Sequence, residues 1–564
     1  MKQLHAIFLF ILIFSGLAQV ITAQDIRLEI DARDKGADSI IRQLDPQKTF
    51  SDYSNLKKEL DHLQDTLVKI GFIDYHLTDL KNKNDTLYIG RLNLGQQIKK
   101  LHIYIKDNLV MAYAKKLKLP LNGNLITIDP VETPNTLARF TQLEAEAGYP
   151  LTYFELKNLK RRGDQLYAEL AYKRETRRKI DEIVVKGYDN YPKSFVKHYA
   201  NLKIGRSYNQ SKIIKQTDQL GQLPFLNSTR EPEVLFTKDS TRVFLYLKKN
   251  TANRFEGFLG FGTNENTGKL RFDGNLDLAL VNNLNFGESL QVNYKSDGND
   301  QQNLQVAAEL PFLFGSPLGA NLSLNLFRQD STFSTNQQRV QLSYLLGTRS
   351  RLRAGVLFEK STNLLQDLSS APIELSDYNK TLLGAGYALV PKITNRLLGT
   401  SNEASIYASF GQRKAKGIAE NQLRMEFNAG YTFQLSDRQQ IYLANTTKNL
   451  SADSYLTNEL FRFGGNKSIR GFVENSITAN LFTAFRSEYR YIPTNNLYVH
   501  TIFDASYYEN DILKNSGYLY SFGLGAGILT SAGMLNFNIA SGLQEDQDFK
   551  FSNSIVHLEF ITFF

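Results

Sequence analysis

The sequence predicts a transmembrane β-barrel preceded by three small α+β modules, and three observations predict it. The first residues read as an export signal. A helix-bearing pattern then recurs three times up to residue 250. From residue 251 onward the chain is a series of short alternating segments that ends on a phenylalanine.

The N-terminus, MKQLHAIFLFILIFSGLAQVITAQ, has one Lys, an apolar run from Ala6 to Leu17, and small residues ending at Ala23. That is the pattern of a secretory signal peptide over residues 1–23, cleaved between Ala23 and Gln24. A membrane anchor is the alternative, but the run is short for a span and no basic stop-transfer cluster follows it. No later stretch is apolar enough for a membrane helix. The chain has no Cys and no Trp beside 29 Tyr and 37 Phe. Disulfides, thiolate metal sites and a lipid-modified N-terminal cysteine are therefore excluded.

Residues 25–250 carry the repeat. LKKELDHLQDTLVKIGF is followed by DYHLTDL and TLYIGRL. NTLARFTQLEAEAGY is followed by LTYFELKNL and QLYAELAYK. SKIIKQTDQLGQLPF is followed by EVLFTK and TRVFLYLKK. Each copy is a helix, an aromatic after Gly or Pro (Phe72, Tyr149, Phe225), and two strands around a polar turn. In the second and third copies a strand also opens the unit, in KLHIYIKD and KIDEIVVKG, and a first helical segment follows it. Each unit thus reads β-α-α-β-β, with apolar residues such as Ile213, Ile214 and Leu220 at helical spacing against a small sheet. Residues 24–45 show no helical pattern of this kind. The expected boundaries are 24–96, 97–176 and 177–250, with the barrel over 251–564. Modules of this kind, lacking any polar catalytic cluster, point to a binding array.

Charge is uneven. Residues 1–250 hold 40 Lys and Arg against 29 Asp and Glu, and residues 251–564 hold the remaining 26 against 28. The surplus peaks between Lys157 and Arg178. Two readings stand: a solvated face, or a surface for anionic membrane lipid. Nucleic acid is not an expected partner of an exported chain.

After Asn250 the period is two. In LRMEFNAGYTFQL, residues Leu423, Met425, Phe427, Ala429, Tyr431, Phe433 and Leu435 share one face, and ANLSLNL and RVQLSYLL repeat the pattern. Alternating side chains give each strand one apolar and one polar face. The runs reach about 9–11 residues, the length a tilted strand needs to cross a bilayer. In lipid only a closed barrel satisfies every backbone group. The available length accommodates sixteen strands comfortably and leaves twelve or fourteen open. In the last strand, SIVHLEFITFF, Val556, Leu558, Phe560, Thr562 and Phe564 share a face.

FRFGGNKSIRGF, residues 461–472, interrupts these strands with glycines and the cations Arg462, Lys467 and Arg470. The strand after it places Leu481, Phe485, Tyr489 and Tyr491 on the lipid side and Arg486, Glu488 and Arg490 inside. In the next strand, LYVHTIFDASYY, His500 and Asp504 face inward by the same alternation. A loop folding back into its own barrel would bring Arg470 against Glu488 and Asp504, with Gly464, Gly465 and Gly471 permitting the turns. The alternative is a solvated surface loop beside unrelated lumenal charges.

FGGNKSIRGF resembles the loop-six motif of the BamA/TamA superfamily of outer-membrane insertases, whose core is an arginine-glycine-aromatic tripeptide. Arg470, Gly471 and Phe472 match the tripeptide, Gly464 and Gly465 match the preceding glycine pair, and Glu488 and Asp504 stand where the acidic partners are expected. Ala505-Ser506 departs from the glycine that relatives often carry there. The repeats are similar to polypeptide-transport-associated (POTRA) domains, and the last strand resembles the recognition signal of outer-membrane barrels. The resemblance implies a sixteen-stranded surface-antigen barrel in the outer membrane, with three periplasmic POTRA modules as in TamA-like members. It implies an insertion factor that receives unfolded outer-membrane proteins and passes them through a lateral seam, without catalysis, cofactor or metal. The seam would lie between the first strand, Arg254 to Gly262 with Gly257, Gly260 and Gly262, and the last, Ser554 to Phe564 with Phe560 and Phe564. Outer-membrane lipid and a periplasmic or inner-membrane subunit are the further partners it implies. Export of one secreted protein, or passage of phospholipid to the outer membrane, are the alternatives; a plain porin needs neither the modules nor the arginine loop.

Overall fold

The computed structural model describes residues 25–32, 35–78, 80–84, 86–263, 270–296, 301–347, 349–365, 374–393, 397–398, 401–544 and 554–564. The signal segment and its cleavage point lie outside the described residues. The chain forms two compact units. One is Met1–Lys179 with Ser207–Gln210, and the other is Ile180–Arg206 with Ser211–Phe564.

The first unit contains two small sheets, and the second unit contains a third sheet together with the barrel. All three sheets share one device: the strand that opens the module lies parallel to the strand that closes it. Ile26–Ala32 pairs with Leu87–Asn93, Lys100–Ile105 with Gln165–Lys173, and Glu182–Lys186 with Thr241–Lys249. Parallel neighbours need a crossover, and the helices supply it. In the first module Tyr53–Lys69 buries Leu56, Leu60, Leu63 and Leu67 along one face, and Asp52 caps it by accepting from the Asn55 amide at 2.8 Å. The marker aromatics Phe72 and Phe225 are buried. Tyr149 instead carries the Arg174 guanidinium 3.6 Å above its ring.

Two sequence expectations need correction. Residues 24–45 do hold a helix, Lys35–Leu44, which with the strand Ile26–Ala32 completes the first module. Ala37 of that helix is buried against Leu63 and Leu67, with Ile40, Ile41 and Leu44 beside it. In the third module the helix Gln210–Gly221 buries Ile213, Thr217 and Leu220, whereas Ile214 is only partly covered. Thr217 is tolerated there because its hydroxyl donates to the Ile213 carbonyl at 2.9 Å.

The cations of the 157–178 stretch are largely engaged within the first unit. Arg161 pairs with Asp74 and donates to the Gln96 carbonyl at 3.1 Å, which ties the second module to the first. Arg174 meets Glu144 at 2.9 Å, and that fully buried carboxylate also accepts from Tyr113 Oη at 2.8 Å.

The barrel is closed and has sixteen antiparallel strands. They are β1 (Arg254–Thr263), β2 (Leu270–Val281), β3 (Ser289–Ser296), β4 (Gln301–Leu310), β5 (Leu318–Gln329), β6 (Phe333–Leu345), β7 (Ser350–Asn363) and β8 (Tyr378–Ile393). The second half is β9 (Ser401–Ala415), β10 (Ile418–Ser436), β11 (Gln439–Ser451), β12 (Leu481–Thr494), β13 (Leu497–Asn510), β14 (Asn515–Leu529), β15 (Met534–Gln544) and β16 (Ile555–Phe563). Leu342, Phe358, Leu383, Phe410, Tyr431, Phe485, Phe503 and Leu558 are all exposed on its outer surface. An apolar belt of that extent is a lipid-facing surface, since water-facing proteins do not carry one. Polar residues on the alternate positions, including Gln341, Glu359, Arg413 and Asp504, are buried inside. Among the described residues no helix is long and apolar enough to cross a membrane.

The third module sits on the turns of the barrel. Its π-helix Phe195–Tyr199 places the Phe195 ring edge-on to Phe312, 4.8 Å away, and His198 Nε2 lies 2.8 Å from the Gly315 carbonyl. Tyr188 Oη donates to Asn285 Oδ1 at 2.8 Å and accepts from Asn282 Nδ2 at 2.9 Å. These contacts reach the turns after β2 and β4.

Candidate functional site: the loop that returns into the barrel

The connection between β11 and β12 turns inward and packs inside the barrel. Its first support is the short hairpin Phe461–Phe463 with Ile477–Ala479. Phe461, Phe463 and Ile469 join Phe482, Tyr508 and Leu519 of the barrel wall in a buried apolar cluster. Phe463 stacks on Phe482 with centroids 4.4 Å apart. Its second support is polar. Asn458 Nδ2 donates to Ser361 Oγ at 2.8 Å and to the Ser376 carbonyl at 2.9 Å. Glu459 accepts from Arg413 Nη1 at 2.5 Å and pairs with Lys380 Nζ at 3.0 Å. A buried carboxylate held by two cations is tolerable only because both are present.

Arg470 lies beyond the hairpin and is 3% exposed, opposite an Asp504 that is wholly buried. Its backbone amide and its Nε donate to Asp504 Oδ2 at 3.0 and 2.8 Å, and its Nη2 donates to Oδ1 at 2.6 Å. Nη1 donates to Glu488 Oε1 at 2.5 Å. Glu488 in turn accepts from Arg490 at 2.7 and 2.5 Å through its other oxygen, and the Arg490 guanidinium rests 4.3 Å above the Tyr442 ring. The guanidinium fork thus meets two carboxylates on adjacent strands, the geometry that makes such bonds strong and directional.

The glycines explain how the loop comes so close. Gly471 has φ +77°, and a Cβ there would lie 2.6 Å from the Gly542 amide nitrogen of β15. A Cβ on Gly542 would in turn strike the Gly471 carbonyl at 2.6 Å and the Phe472 ring at 2.7 Å. Arg470-Gly471-Phe472 therefore lies flat against β15, and Gly542 is the wall residue that makes room. Ala505-Ser506, where relatives often carry glycine, is not the place where the loop approaches. Ser506 instead spends its hydroxyl on the Thr483 carbonyl at 2.9 Å. Gly464 and Gly465 turn the chain back beside Val473 and Glu474.

The tip of the loop spans to the seam, which sequence reading did not foresee. Asn466 Nδ2 donates to Glu559 Oε1 of β16 at 2.6 Å. Lys467 Nζ stands 3.6 Å from Asp277 of β2, and Lys295 of β3 pairs with Glu474 at 3.1 Å. Only the inward alternation of those strands hints at these pairs. Nothing in sequence spacing joins them.

At the seam itself, among the described residues, β1 and β16 are opposed only at Arg254 with Phe563 and Phe255 with Thr562, with one further bond from the Phe564 amide to the Asn253 carbonyl at 3.1 Å. By contrast β1 pairs with β2 along its whole length. Gly257 has φ +146°, and a Cβ there would sit 2.1 Å from the Asn275 carbonyl oxygen, so β1 hugs β2 while, among the described residues, no pairing of its other edge continues beyond Phe255. Gly260 and Gly262 lie opposite Asp273 and Arg271; their surroundings lie outside the described residues. Phe560 and Phe564 are exposed on the outer face.

No family model matches the sequence, and no curated protein matches it. Among solved structures the chain is similar to BamA from Haemophilus ducreyi lacking POTRA domains 1–3. That match has 14% identity and a TM-score of 0.50, over 82% of this chain and 99% of that one. CdiB from Acinetobacter baumannii aligns at 14% identity over 90% of this chain and 97% of that one, with a TM-score of 0.49. CdiB from Escherichia coli aligns at 15% identity over 94% and 99%, also at 0.49. The likeness to the BamA structure is one of fold: a closed sixteen-stranded barrel of the outer-membrane type behind small α+β modules.

Proposed function

We propose that this chain is an outer-membrane assembly factor of the three-POTRA, TamA-like kind. Its modules stand in the periplasm and receive unfolded outer-membrane proteins, and its barrel inserts them through the seam between β1 and β16. The observation that carries the reading is the seam: among the described residues its two strands are opposed at Arg254–Phe563 and Phe255–Thr562 alone, the shortest ladder between neighbouring strands of the barrel. Unpaired backbone groups on a strand edge are templates for another strand, and a client strand can satisfy them by β-augmentation. The work is insertion driven by client folding, with no covalent chemistry and no cofactor or metal.

Photo-crosslinking in cells tests this, with the probe scanned along Arg254–Thr263 and Ile555–Phe563 and the trapped species identified by mass spectrometry. Many barrel proteins caught through their last strands are the expected result. One secreted protein caught at lumenal positions alone would overturn it in favour of export, and phospholipid in place of protein would make the chain a lipid conduit.

A further inference from the structure

Two cavities inside the barrel, of about 460 and 790 Å³, are both lined by Asn303, Gln305, Lys448, Arg462 and Asn475. The shared lining thus holds two cations and three primary amides, and no carboxylate. Arg462 reaches it because Phe461 and Phe463 face the buried cluster, and the alternation of the hairpin turns the residue between them the other way. Its guanidinium lies over Phe327 and Phe333, 5.2 and 5.4 Å from their centroids. Lys448, on β11, stands 5.8 Å from the Phe461 ring.

Among the described residues neither cation has an ion pair or a hydrogen-bonded partner. The acids nearby are taken. Glu426 accepts from Arg339 and Arg424 at 2.7 Å each, Glu359 from Tyr378 at 2.7 Å and Gln337 at 2.5 Å, and Glu459 is held by Lys380 and Arg413. Asn303 Oδ1 is buried and has no donor. Glu426 and Asp330 act on Lys448 and Arg462 from beyond bonding distance, but half-buried cations without a bonded counter-ion, and an amide oxygen without a partner, are costly unless something else satisfies them.

We infer that the lumen holds a site for a phosphate-bearing ligand, built by Arg462 and Lys448 with the amides of Asn303, Gln305 and Asn475. The guanidinium fork matches two oxygens of a tetrahedral anion and the ammonium a third. The donors come from β4, β11 and both sides of the loop, so they converge from several directions. A planar carboxylate would leave part of that set unused. Asn303 Oδ1 would accept from a hydroxyl beside the phosphate.

The test uses the full chain in detergent micelles, with thermal unfolding followed against inorganic phosphate and against chloride at matched ionic strength. The expected result is stabilisation by phosphate beyond that by chloride, with apparent affinity weakened at least about tenfold in Arg462→Gln and in Lys448→Gln. Asn303→Leu, which leaves both cations in place, guards against misfolding in the charge variants and should weaken phosphate as well. Native mass spectrometry from phosphatidylglycerol nanodiscs separates the sources. A lipid retained by the wild type and lost in Arg462→Gln identifies a headgroup, and a response to inorganic phosphate without lipid retention identifies the free ion. Equal responses to both salts, unchanged in all three variants and without lipid retention, would overturn the site.

Discussion

Arg470 holds Asp504 through its main chain and its side chain together: the amide, Nε and Nη2 all donate to one buried carboxylate, at 3.0, 2.8 and 2.6 Å. A side chain alone would fix a charge. Main chain and side chain together fix the path of the loop.

Arg470→Ala should therefore do more than remove an ion pair. It strands Asp504 and half of Glu488 in a low-dielectric interior, a loss of about 3–5 kcal/mol for a broken buried pair. Heat-modifiable gel migration should show the barrel unfolding at lower temperature, and Arg470→Ala/Asp504→Asn should recover part of the loss. A single variant with unchanged heat stability and function would refute the anchoring role.

Gly542→Ala places a methyl group against the Gly471 carbonyl and the Phe472 ring, both nearer than van der Waals contact allows. Overpacking of this kind costs about 1–3 kcal/mol. The loop should lift from β15 and become cleavable by added protease between Gly464 and Phe472, while the wild-type loop resists. Equal protease resistance would show that the wall yields elsewhere.

Phe255 and Thr562 are paired across the seam, and the chain has no native Cys. Phe255→Cys with Thr562→Cys should form a disulfide, because paired antiparallel positions fall within bridging distance. On the proposed function, the oxidised protein loses client insertion and the reductant restores it. Insertion that proceeds equally with the seam locked would rule out lateral passage.

The two ties from the loop tip to the seam should differ in weight. The Lys467 side chain is 76% exposed and its partner lies at 3.6 Å, so Lys467→Ala should change seam crosslinking little. Asn466→Ala removes the 2.6 Å bond to Glu559 and should raise the yield of client crosslinks at β16. The opposite ranking would mean that long-range charge, not direct bonding, holds the tip.

In the first unit, burial together with the bond to Glu144 pushes the Tyr113 hydroxyl up to about 12. A group whose folded value is raised stabilises the fold below its unfolded value, near 10, and loses that contribution as pH climbs toward 12. Protease resistance of residues 35–179 in the full chain should fall over that window, and Tyr113→Phe should flatten the fall. An identical pH profile in the variant would place the sensitivity elsewhere.

Much of this was legible in sequence, for a physical reason. Side chains in a barrel strand alternate between lipid and lumen except at bulges, and none falls between Leu481 and Arg490 or between His500 and Asp504, so Glu488 and Asp504 could be turned inward by counting alone. Gly542 could not be found that way, because its meaning depends on a loop seventy residues upstream lying across it. The Asn466–Glu559 bond is hidden for the same reason. The helix Lys35–Leu44 was overlooked although Ala37, Ile40, Ile41 and Leu44 have helical spacing. It is short, it carries Gly36 in its first turn, and the strand before it finds its parallel partner far along the chain at Leu87–Asn93.

The docking of the third module also has a mechanical meaning. Phe195, His198 and Tyr188 grip the turns after β2 and β4, on the side of the barrel that continues directly into β1. A torque applied to that module is thus delivered to one bank of the seam, as a handle delivers force to the door it is mounted on.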